Sequence, residues 1–384
     1  MSDLIVQGKL VCDDGVLENG ILICEQGKIV YAGPSRGEIP DVVCTTGYLV
    51  PGYVDIHIHG ANGYDVMDGT ADALRGVAKS LASYGVTSFL ATTLTASIDQ
   101  LVLVLDACKR CADDTFDGAE LLGVHLEGPW INSKHKGAQN ADHVIGPTIE
   151  DAKTLLSAGG GLVKLVTMAP ENQHADAVIA YLSEQGVKAS VGHSDATYEQ
   201  VKAAIPHGLS HVTHCYNAMR GLHHREPGVV GAAMYHDELT AELIADGIHV
   251  HPVAMSILYR LKQSDRLVLV SDSMRAVGME DGRYDLGGLS VYMQNGEARL
   301  ADGTLAGSTL TLEKAVQNMV TLCGVPLAEA VKMASATPAR VIGAGENKGR
   351  LQAGYDADFL YLDEELRVVT TYRAGQNIYE RHSG

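Results

Sequence analysis

The chain has 384 residues, of which 46% are hydrophobic and 20% are charged, a composition that excludes an intrinsically disordered protein. Its formal net charge of −18 and the lack of a basic cluster exclude nucleic acid and anionic membrane surfaces as partners. An anionic small-molecule ligand would therefore have to be bound by local cationic side chains.

The cysteines and the first residues indicate a cytoplasmic protein. The opening segment, MSDLIVQGKL, lacks the basic and apolar parts of a secretory signal, and no stretch reaches the ~20 apolar residues that span a bilayer. The seven cysteines are odd in number and scattered, which predicts reduced thiols. Cys108 and Cys111 are interpreted as ordinary helix residues, because no second pair completes a four-ligand zinc site.

The two ends of the chain share one pattern. Residues 1–48 contain short β-rich pieces broken by glycine and aspartate, which predict hairpins rather than alternating strands and helices. Residues 349–384 repeat this strand-turn-strand pattern. We expect the two ends to pair into one small β-sandwich domain.

The middle of the chain, residues 49–348, alternates short apolar runs with longer helix-like segments. Runs that are apolar throughout, rather than at every second position, predict strands buried on both faces of a parallel sheet. Eight such units predict an α/β fold, a TIM-like (β/α)₈ barrel. The predicted strands are Leu49–His57, Val86–Leu94, Leu121–Leu126, Leu162–Met168, Val187–Val191, Leu209–Val212, Leu243–Ala245 and Leu267–Val270.

Side chains that can bind a metal follow or end five of these strands. His57 and His59 are two positions apart on the first strand, so both imidazoles point to the same side. The other four are Glu127, His193, His214 and Asp272. A structural role in the core would account for any one of these residues. Five strand ends with metal-type ligands instead favour a metal site at the face where barrel enzymes bind ligands. Histidine and carboxylate ligands suit zinc, iron or another first-row divalent ion.

Several motifs extend this pattern along nearly the whole chain. In order they are PGYVDIHIHG, HLEGPW, GHSDA, THCYNAM, LHHREPG, IADGIHV, SDSMRAVG and DGTLAGS. With them the sequence resembles the N-acetylglucosamine-6-phosphate deacetylase family of the amidohydrolase superfamily, and N-acetylgalactosamine-6-phosphate deacetylases are a near alternative. The resemblance implies metal-dependent hydrolysis of an acetamide on an amino sugar 6-phosphate, giving acetate and the free amino sugar phosphate.

The resemblance also implies roles for individual residues. Glu127, His193 and His214 would hold the principal divalent ion, and Asp272 would be the catalytic acid/base. A homodimer is implied, in which Arg225 reaches the phosphate of the neighbouring subunit; its guanidinium fork matches phosphate oxygens. The remaining sugar-phosphate contacts would come from Gln139, Asn217, Ala218, His224, His249, Leu305, Ala306 and Gly307.

Two features vary within the resembling family. Some members lack histidines at the positions of His57 and His59 and bind one metal, whereas this chain keeps both, so one or two ions per subunit are expected. Many relatives have a histidine where Gln139 stands, and that histidine is implicated in polarising the acetyl carbonyl. Gln139 donates hydrogen bonds but carries no proton to transfer, so oxyanion stabilisation here would depend more on the metal.

Four alternatives stay open at this point. The substrate sugar can be the galactosamine epimer, since no motif distinguishes the two positions of O4. Another amidohydrolase reaction, on a cyclic amide or a nucleobase, would use Glu127 at the place where those enzymes have a carboxylated lysine. A non-catalytic scaffold would retain the fold alone. Arg225 can also be a surface residue paired with Glu226.

We interpret the other histidines as structural or surface groups. They are His125, His135, His143, His207, His211, His236 and His251.

Overall fold

The computed structural model describes residues 4–13, 15–112 and 117–381. In chain order the strands are β1 (Leu4–Cys12), β2 (Gly15–Glu25), β3 (Lys28–Pro34), β4 (Val42–Val43), β5 (Tyr48–Pro51), β6 (Tyr53–Ile58), β7 (Gly60–Ala61), β8 (Tyr64–Asp65), β9 (Val86–Thr92), β10 (Glu120–Glu127), β11 (Val163–Met168), β12 (Lys188–Val191), β13 (Leu209–Val212), β14 (Thr240–Leu243), β15 (Leu267–Leu269), β16 (Gly282–Leu286), β17 (Leu289–Gln294), β18 (Glu297–Arg299), β19 (Phe359–Leu362), β20 (Val368–Arg373) and β21 (Gln376–Glu380). They form one curled parallel sheet, one mixed sheet built from both chain ends, a three-stranded sheet and a short hairpin.

Ten α-helices lie between or after the strands of the described chain. Five of them begin after a serine or threonine whose hydroxyl accepts a backbone N–H of the first turn, which satisfies a donor that the helix itself leaves unpaired. No helix of the described ranges is long and apolar enough to cross a membrane. The helices are α1 (Ala71–Ala82), α2 (Ile98–Cys111), α3 (Ile149–Gly159), α4 (Ala175–Glu184), α5 (Tyr198–Ala204), α6 (Gly228–Tyr235), α7 (Pro252–Arg266), α8 (Leu312–Cys323), α9 (Leu327–Ala334) and α10 (Ala336–Val341).

The central sheet has eight parallel strands that follow each other in chain order, β6 and then β9 to β15. Eight predicted parallel strands are thereby confirmed. No regular ladder joins β15 to β6 within the described chain, but the two edges meet just past the strands. There the N–H of Asp272 donates to the carbonyl of His57 at 2.9 Å, and the N–H groups of His59 and Gly60 donate to the carbonyl of Ser273 at 2.9 and 3.0 Å.

Two predicted strands have wrong boundaries. The run Leu49–His57 is two strands, β5 and β6, separated at Gly52, where a Cβ would come within 2.3 Å of the Thr87 hydroxyl. The seventh barrel strand is β14, Thr240–Leu243, rather than Leu243–Ala245. Glu242 is fully buried, but its charge interrupts the apolar pattern of this strand. The uninterrupted apolar run begins only after Glu242, so the strand was predicted too late in the chain.

Both chain ends contribute strands to the second sheet, in the order β21, β20, β19, β5, β1, β2, β3, with β4 beside β1. This pairing of the ends confirms the sequence-based expectation; the two-layer sandwich stays a prediction. The sheet has a small core of its own that includes Leu10, Leu22, Leu49 and Phe359.

An ion cluster around the buried ammonium of Lys348 fastens this sheet to the start of a barrel strand. The ammonium of Lys348 lies 2.6 Å from a carboxylate oxygen of Glu120, at the beginning of β10, and 2.8 Å from one of Asp358, next to β19. Asp356 lies 2.9 Å from the same ammonium. The cluster is at the amino ends of the barrel strands, which leaves their carboxyl ends free for the site.

The hairpins β16 to β18 form a three-stranded antiparallel insertion that the sequence did not predict. Its buried side chains Leu286, Val291 and Ala298 pack with Leu94 and Met274, which follow β9 and β15. The insertion therefore covers part of the carboxyl-terminal face of the curled sheet.

Candidate active site

A cavity of about 330 Å³ opens at the carboxyl ends of the parallel strands, a size suited to a small-molecule ligand. Three of the metal-type residues named above, Glu127, His193 and His214, reach it together with His59 and Asp272. His57 is fully buried directly beneath them. The structure therefore brings all six predicted metal and catalytic residues to one place.

Glu127, His193 and His214 form the first donor cluster. Glu127 is the last residue of β10, and the two histidines follow β12 and β13 closely. Nε2 of His193 and Nε2 of His214 lie 3.1 and 3.2 Å from Oε1 of Glu127, and 3.1 Å from each other. Nδ1 of His193 lies 2.9 Å from the carbonyl of His135, which directs Nε2 towards the cluster. Two imidazole nitrogens and one carboxylate oxygen thus converge on a common point.

His57, His59 and Asp272 form the second cluster, and Glu127 faces both. Nε2 of His59 lies 3.1 Å from Oδ1 of Asp272 and 3.4 Å from Oε2 of Glu127. Nε2 of His57 lies 3.4 Å from Oε1 of Glu127 and 3.6 Å from Oδ1 of Asp272. In each cluster the donor atoms all lie within 4.8 Å of one another.

The backbone at three of these residues is in the left-handed region. The φ angles are 48° at His193, 29° at His214 and 47° at Asp272, although none of them is a glycine. Such conformations cost on the order of 1–3 kcal/mol each and are concentrated at functional sites. The strain turns each side chain from the end of its strand into the cavity.

Opposite charges compensate one another inside this buried site. Burial alone would raise the pKa of Glu127, but the imidazoles of His57 and His193 hold that pKa well below its ordinary value. Burial would likewise raise the pKa of Asp272, and His57 and His59 lower it. Both carboxylates are therefore stabilised in the ionised form, and the cluster attracts positive charge.

The residues present fit a divalent metal ion. Histidine nitrogens and carboxylate oxygens are the donors that zinc and other first-row ions prefer in such sites. Nε2 of His57 is buried without a hydrogen-bond partner in the described chain, although it faces two carboxylates. A cation between the clusters would give this nitrogen a partner and would balance the buried negative charge.

Most of the predicted sugar-phosphate residues line the same cavity. Asn217, Ala218, His249, Leu305 and Gly307 do so, whereas Ala306 is fully buried behind its neighbours. The ring of His249 is fixed by Asp246, whose carboxylate lies 2.6 Å from Nδ1.

Gln139 lines the cavity and is held at both ends of its amide. Its Oε1 accepts a hydrogen bond of 2.7 Å from the N–H of Thr95, and its Nε2 donates to Oε2 of Glu127. Because the backbone N–H is only a donor and the ionised carboxylate only an acceptor, the orientation of the amide is fixed.

Arg225 and His224 lie outside the cavity of this subunit. Both are exposed on the loop before α6, where Nη1 of Arg225 lies 2.7 Å from Nε2 of His224. Glu226 instead accepts from the N–H groups of Tyr198 and Gly228. Among the described ion pairs none joins Arg225 to Glu226, so the surface-pair interpretation is not supported.

Sequence reasoning missed four residues of the site. Glu242 and His125 are fully buried against His57, and His211 is almost fully buried next to Glu242. His135 lines the cavity. Burial and the charge of His57 lower the pKa of His125 to about 3, so it stays neutral. The sequence did carry a signal for Glu242: it lies within the apolar stretch TAELIA, where an exposed side chain is not expected.

Comparisons with known proteins find relatives along most of the chain. The model of the Amidohydrolase family matches residues 48–378. An N-acetylglucosamine-6-phosphate deacetylase from Lysinibacillus sphaericus is 43% identical over 329 residues, which cover 86% of this chain and 85% of that protein. An N-acetylgalactosamine-6-phosphate deacetylase from Escherichia coli is 40% identical over 376 residues, which cover 98% of this chain and 99% of that protein.

A solved structure is also similar over nearly the full length. It is an N-acetyl-D-glucosamine-6-phosphate deacetylase mutant from Mycobacterium smegmatis in complex with N-acetyl-D-glucosamine 6-phosphate. The TM-score is 0.94 at 34% identity, and the match covers 98% of this chain and 100% of that chain.

Zinc should stabilise the folded protein through the first donor cluster. At free zinc ~100-fold above the dissociation constant, one bound ion adds about 2.7 kcal/mol to the free energy of unfolding. Urea unfolding of chelator-treated protein with and without added zinc measures this difference. His214→Ala should lose most of it, whereas His207→Ala, an exposed histidine far from the cluster, should keep it. Equal stabilisation of both variants would contradict the site.

Proposed function

The chain belongs to the amidohydrolase family, and we propose that it hydrolyses the acetamide of N-acetyl-D-glucosamine 6-phosphate to D-glucosamine 6-phosphate and acetate, in amino-sugar catabolism or recycling. The observation that carries this proposal is the convergence of Glu127, His193 and His214 with Asp272 in one cavity. Relatives named for this reaction support the choice of substrate.

Zinc or iron is the ion we propose, with one or two ions per subunit. Glu127, His193 and His214 would hold the first, and His57 and His59 would hold a second, with Glu127 facing both and Asp272 facing the second. A bound divalent ion supplies a water whose pKa is lowered to ~7 and polarises the amide carbonyl.

Asp272 is the group that moves protons. Its carboxylate is ionised, reaches the cavity and is fixed by its own backbone, whose N–H donates to His57 and whose carbonyl accepts from Ser308 at 2.7 Å. It takes a proton from the attacking water as the new C–O bond forms. It then gives that proton to the amine nitrogen as the C–N bond breaks, so acetate and the free amine leave.

The sugar lies among Asn217, His249 and the segment 305–307, beneath the three-stranded insertion. Asn217 and His249 offer side-chain hydrogen bonds to ring hydroxyls, and segment 305–307 offers backbone N–H and C=O groups. The phosphate extends towards the opening of the cavity. Arg225 of the same subunit does not reach this opening.

A homodimer would complete the phosphate site. Arg225 and His224 project from an exposed loop, and next to that loop Leu222 and Tyr235 are 57% and 74% exposed. These side chains form an apolar groove with Pro227 and Met234. A second copy on this surface would cover apolar area and bring a guanidinium to the phosphate of its neighbour.

The finer features of the fold belong to the same proposal. We infer a closed (β/α)₈ barrel over residues 49–348 from the backbone hydrogen bonds that join Asp272 and Ser273 to the first strand. The separate core of the sheet from residues 1–48 and 349–384 supports a small β-sandwich domain. A cytoplasmic location stays a prediction.

A galactosamine substrate is the second candidate, because the relative named for that epimer matches 98% of the chain at 40% identity. Purified protein should release acetate from N-acetyl-D-glucosamine 6-phosphate with a higher kcat/KM than from the galactosamine epimer. Acetate and free amine are measured for both, with chelated protein as the control. A higher kcat/KM for the galactosamine substrate would select that epimer, and hydrolysis of neither would reject deacetylation.

Asp272→Asn should bind substrate but lose nearly all turnover. The amide keeps the shape of the side chain but accepts no proton from water, and general acid/base catalysis contributes ~100- to 10,000-fold. We expect kcat to fall by at least ~100-fold with metal content unchanged, measured by steady-state kinetics and elemental analysis. Recovery of kcat on adding metal would show that Asp272 only binds the ion.

Arg225→Ala and Asp272→Asn should complement each other if subunits share the phosphate site. A mixed dimer contains one site with an intact Asp272 and an intact Arg225 from its neighbour. Activity of the exchanged mixture should therefore exceed the activity of either variant alone. Lack of recovery in dimers shown to be mixed would mean that Arg225 serves its own subunit or none.

A further inference from the structure

Glu242 is a fully buried carboxylate at the carboxyl end of the curled sheet, one residue before the end of β14. Its Oε2 accepts from Nδ1 of His57 at 2.8 Å and from the backbone N–H of His214 at 3.0 Å. Its Oε1 lies 3.1 Å from Nε2 of His211. One side chain thus contacts a residue of each donor cluster, although it does not line the cavity.

The hydrogen bonds indicate which nitrogen of His57 carries the proton. The oxygens of an ionised carboxylate only accept, so Nδ1 of His57 donates to Oε2 of Glu242, as the backbone N–H of His214 does. A histidine that binds a metal is neutral, and an imidazole protonated only at Nδ1 has its lone pair on Nε2. That Nε2 is the buried nitrogen without a hydrogen-bond partner in the described chain, and it faces Glu127 and Asp272.

The same oxygen holds the strained backbone of the other cluster. His214 has a φ of 29°, and its N–H would be an unpaired buried donor without Glu242. A buried N–H is costly to leave unpaired, so without this contact the loop would relax away from the position that points Nε2 of His214 at Glu127.

We propose that Glu242 is a positioning residue that couples the two donor clusters, aiming Nε2 of His57 at a second ion while holding His214 for the first. This inference rests on the proposed metal-dependent function. Carboxylates that hold the far nitrogen of a ligating histidine typically change metal affinity by 10- to 100-fold when they are replaced.

Two conservative substitutions separate position from charge. In Glu242→Gln the amide oxygen can occupy the place of Oε2 and keep both contacts, while the amide nitrogen donates to His211, whose Nδ1 has no partner in the described chain and can take the proton. In Glu242→Asp the charge stays, but the side chain is one methylene shorter and cannot reach His57 and His214 together.

The matched control is His211→Asn, which changes the contact to Oε1 and leaves both contacts of Oε2. Zinc binding to each protein is measured by chelator competition and by elemental analysis, with thermal unfolding to confirm the folded state. Activity on the glucosamine substrate is recorded separately.

We expect two zinc ions per chain in the parent, a second-ion affinity reduced ~10- to 100-fold in Glu242→Asp, and affinities near the parent in Glu242→Gln and His211→Asn. Parent-like affinity in Glu242→Asp, an equal loss in Glu242→Gln, or a single ion in the parent would overturn the proposal. If the expected zinc pattern appears without hydrolysis of either sugar phosphate, the proposed function fails and the coupling stands.

Nitrogen-15 NMR of the parent gives a second measurement that needs no stable Glu242 variant. In the zinc-loaded protein the His57 signals, assigned with His57→Asn, should show a ring protonated at Nδ1 alone. A ring protonated at Nε2 would overturn the proposal.

Discussion

The site depends on the carboxylate of Glu127, which is almost fully buried and contacted by four imidazoles. Its Oε1 lies 3.1 to 3.4 Å from His57, His193 and His214, and its Oε2 lies 3.4 Å from His59. A carboxylate removed from water in this way must be matched by positive charge, either protons on the histidines or a cation. His193 and His214 each follow a strand of their own, and His57 and His59 come from the first barrel strand. The parallel sheet therefore brings to Glu127 the imidazoles that can balance its charge.

This requirement separates the two ends of the curled sheet. At the amino ends of the strands, the buried ammonium of Lys348 pairs with the buried Asp358 and the exposed Glu120, so these charges are balanced within the chain and fasten the terminal sheet. At the carboxyl ends, the charges face a cavity and the backbone at His193, His214 and Asp272 is strained. The charges at the two ends of the curled sheet are therefore arranged differently: they are paired within the chain at one end and converge on a cavity at the other.

Much of this arrangement could be predicted from sequence because it has a one-dimensional signal. Strands buried on both faces are apolar throughout, and a histidine or carboxylate just after such a run stands out, as His193 and Asp272 do. Glu242 gave the opposite signal: it lies inside the run, its partners are 28 and 185 residues away, and it shifted the predicted strand to Leu243–Ala245. The insertion at residues 282–299 pairs with itself, and its packing on Leu94 and Met274 is a tertiary contact without a local pattern.

Gln139 shows how a single substitution of residue type can be accommodated by such a site. Its amide nitrogen carries two hydrogens, so donation to Glu127 leaves one for a substrate carbonyl, whereas a neutral histidine has a single N–H for both tasks. Its oxygen is held by the N–H of Thr95, so the amide cannot turn over without losing both hydrogen bonds. A histidine at this position would also add a fifth imidazole beside Glu127, where His57 and His59 already supply positive charge. The glutamine and the H-x-H pair are therefore mutually consistent: the pair faces the carboxylate of Glu127, and the uncharged amide orients that carboxylate without adding charge.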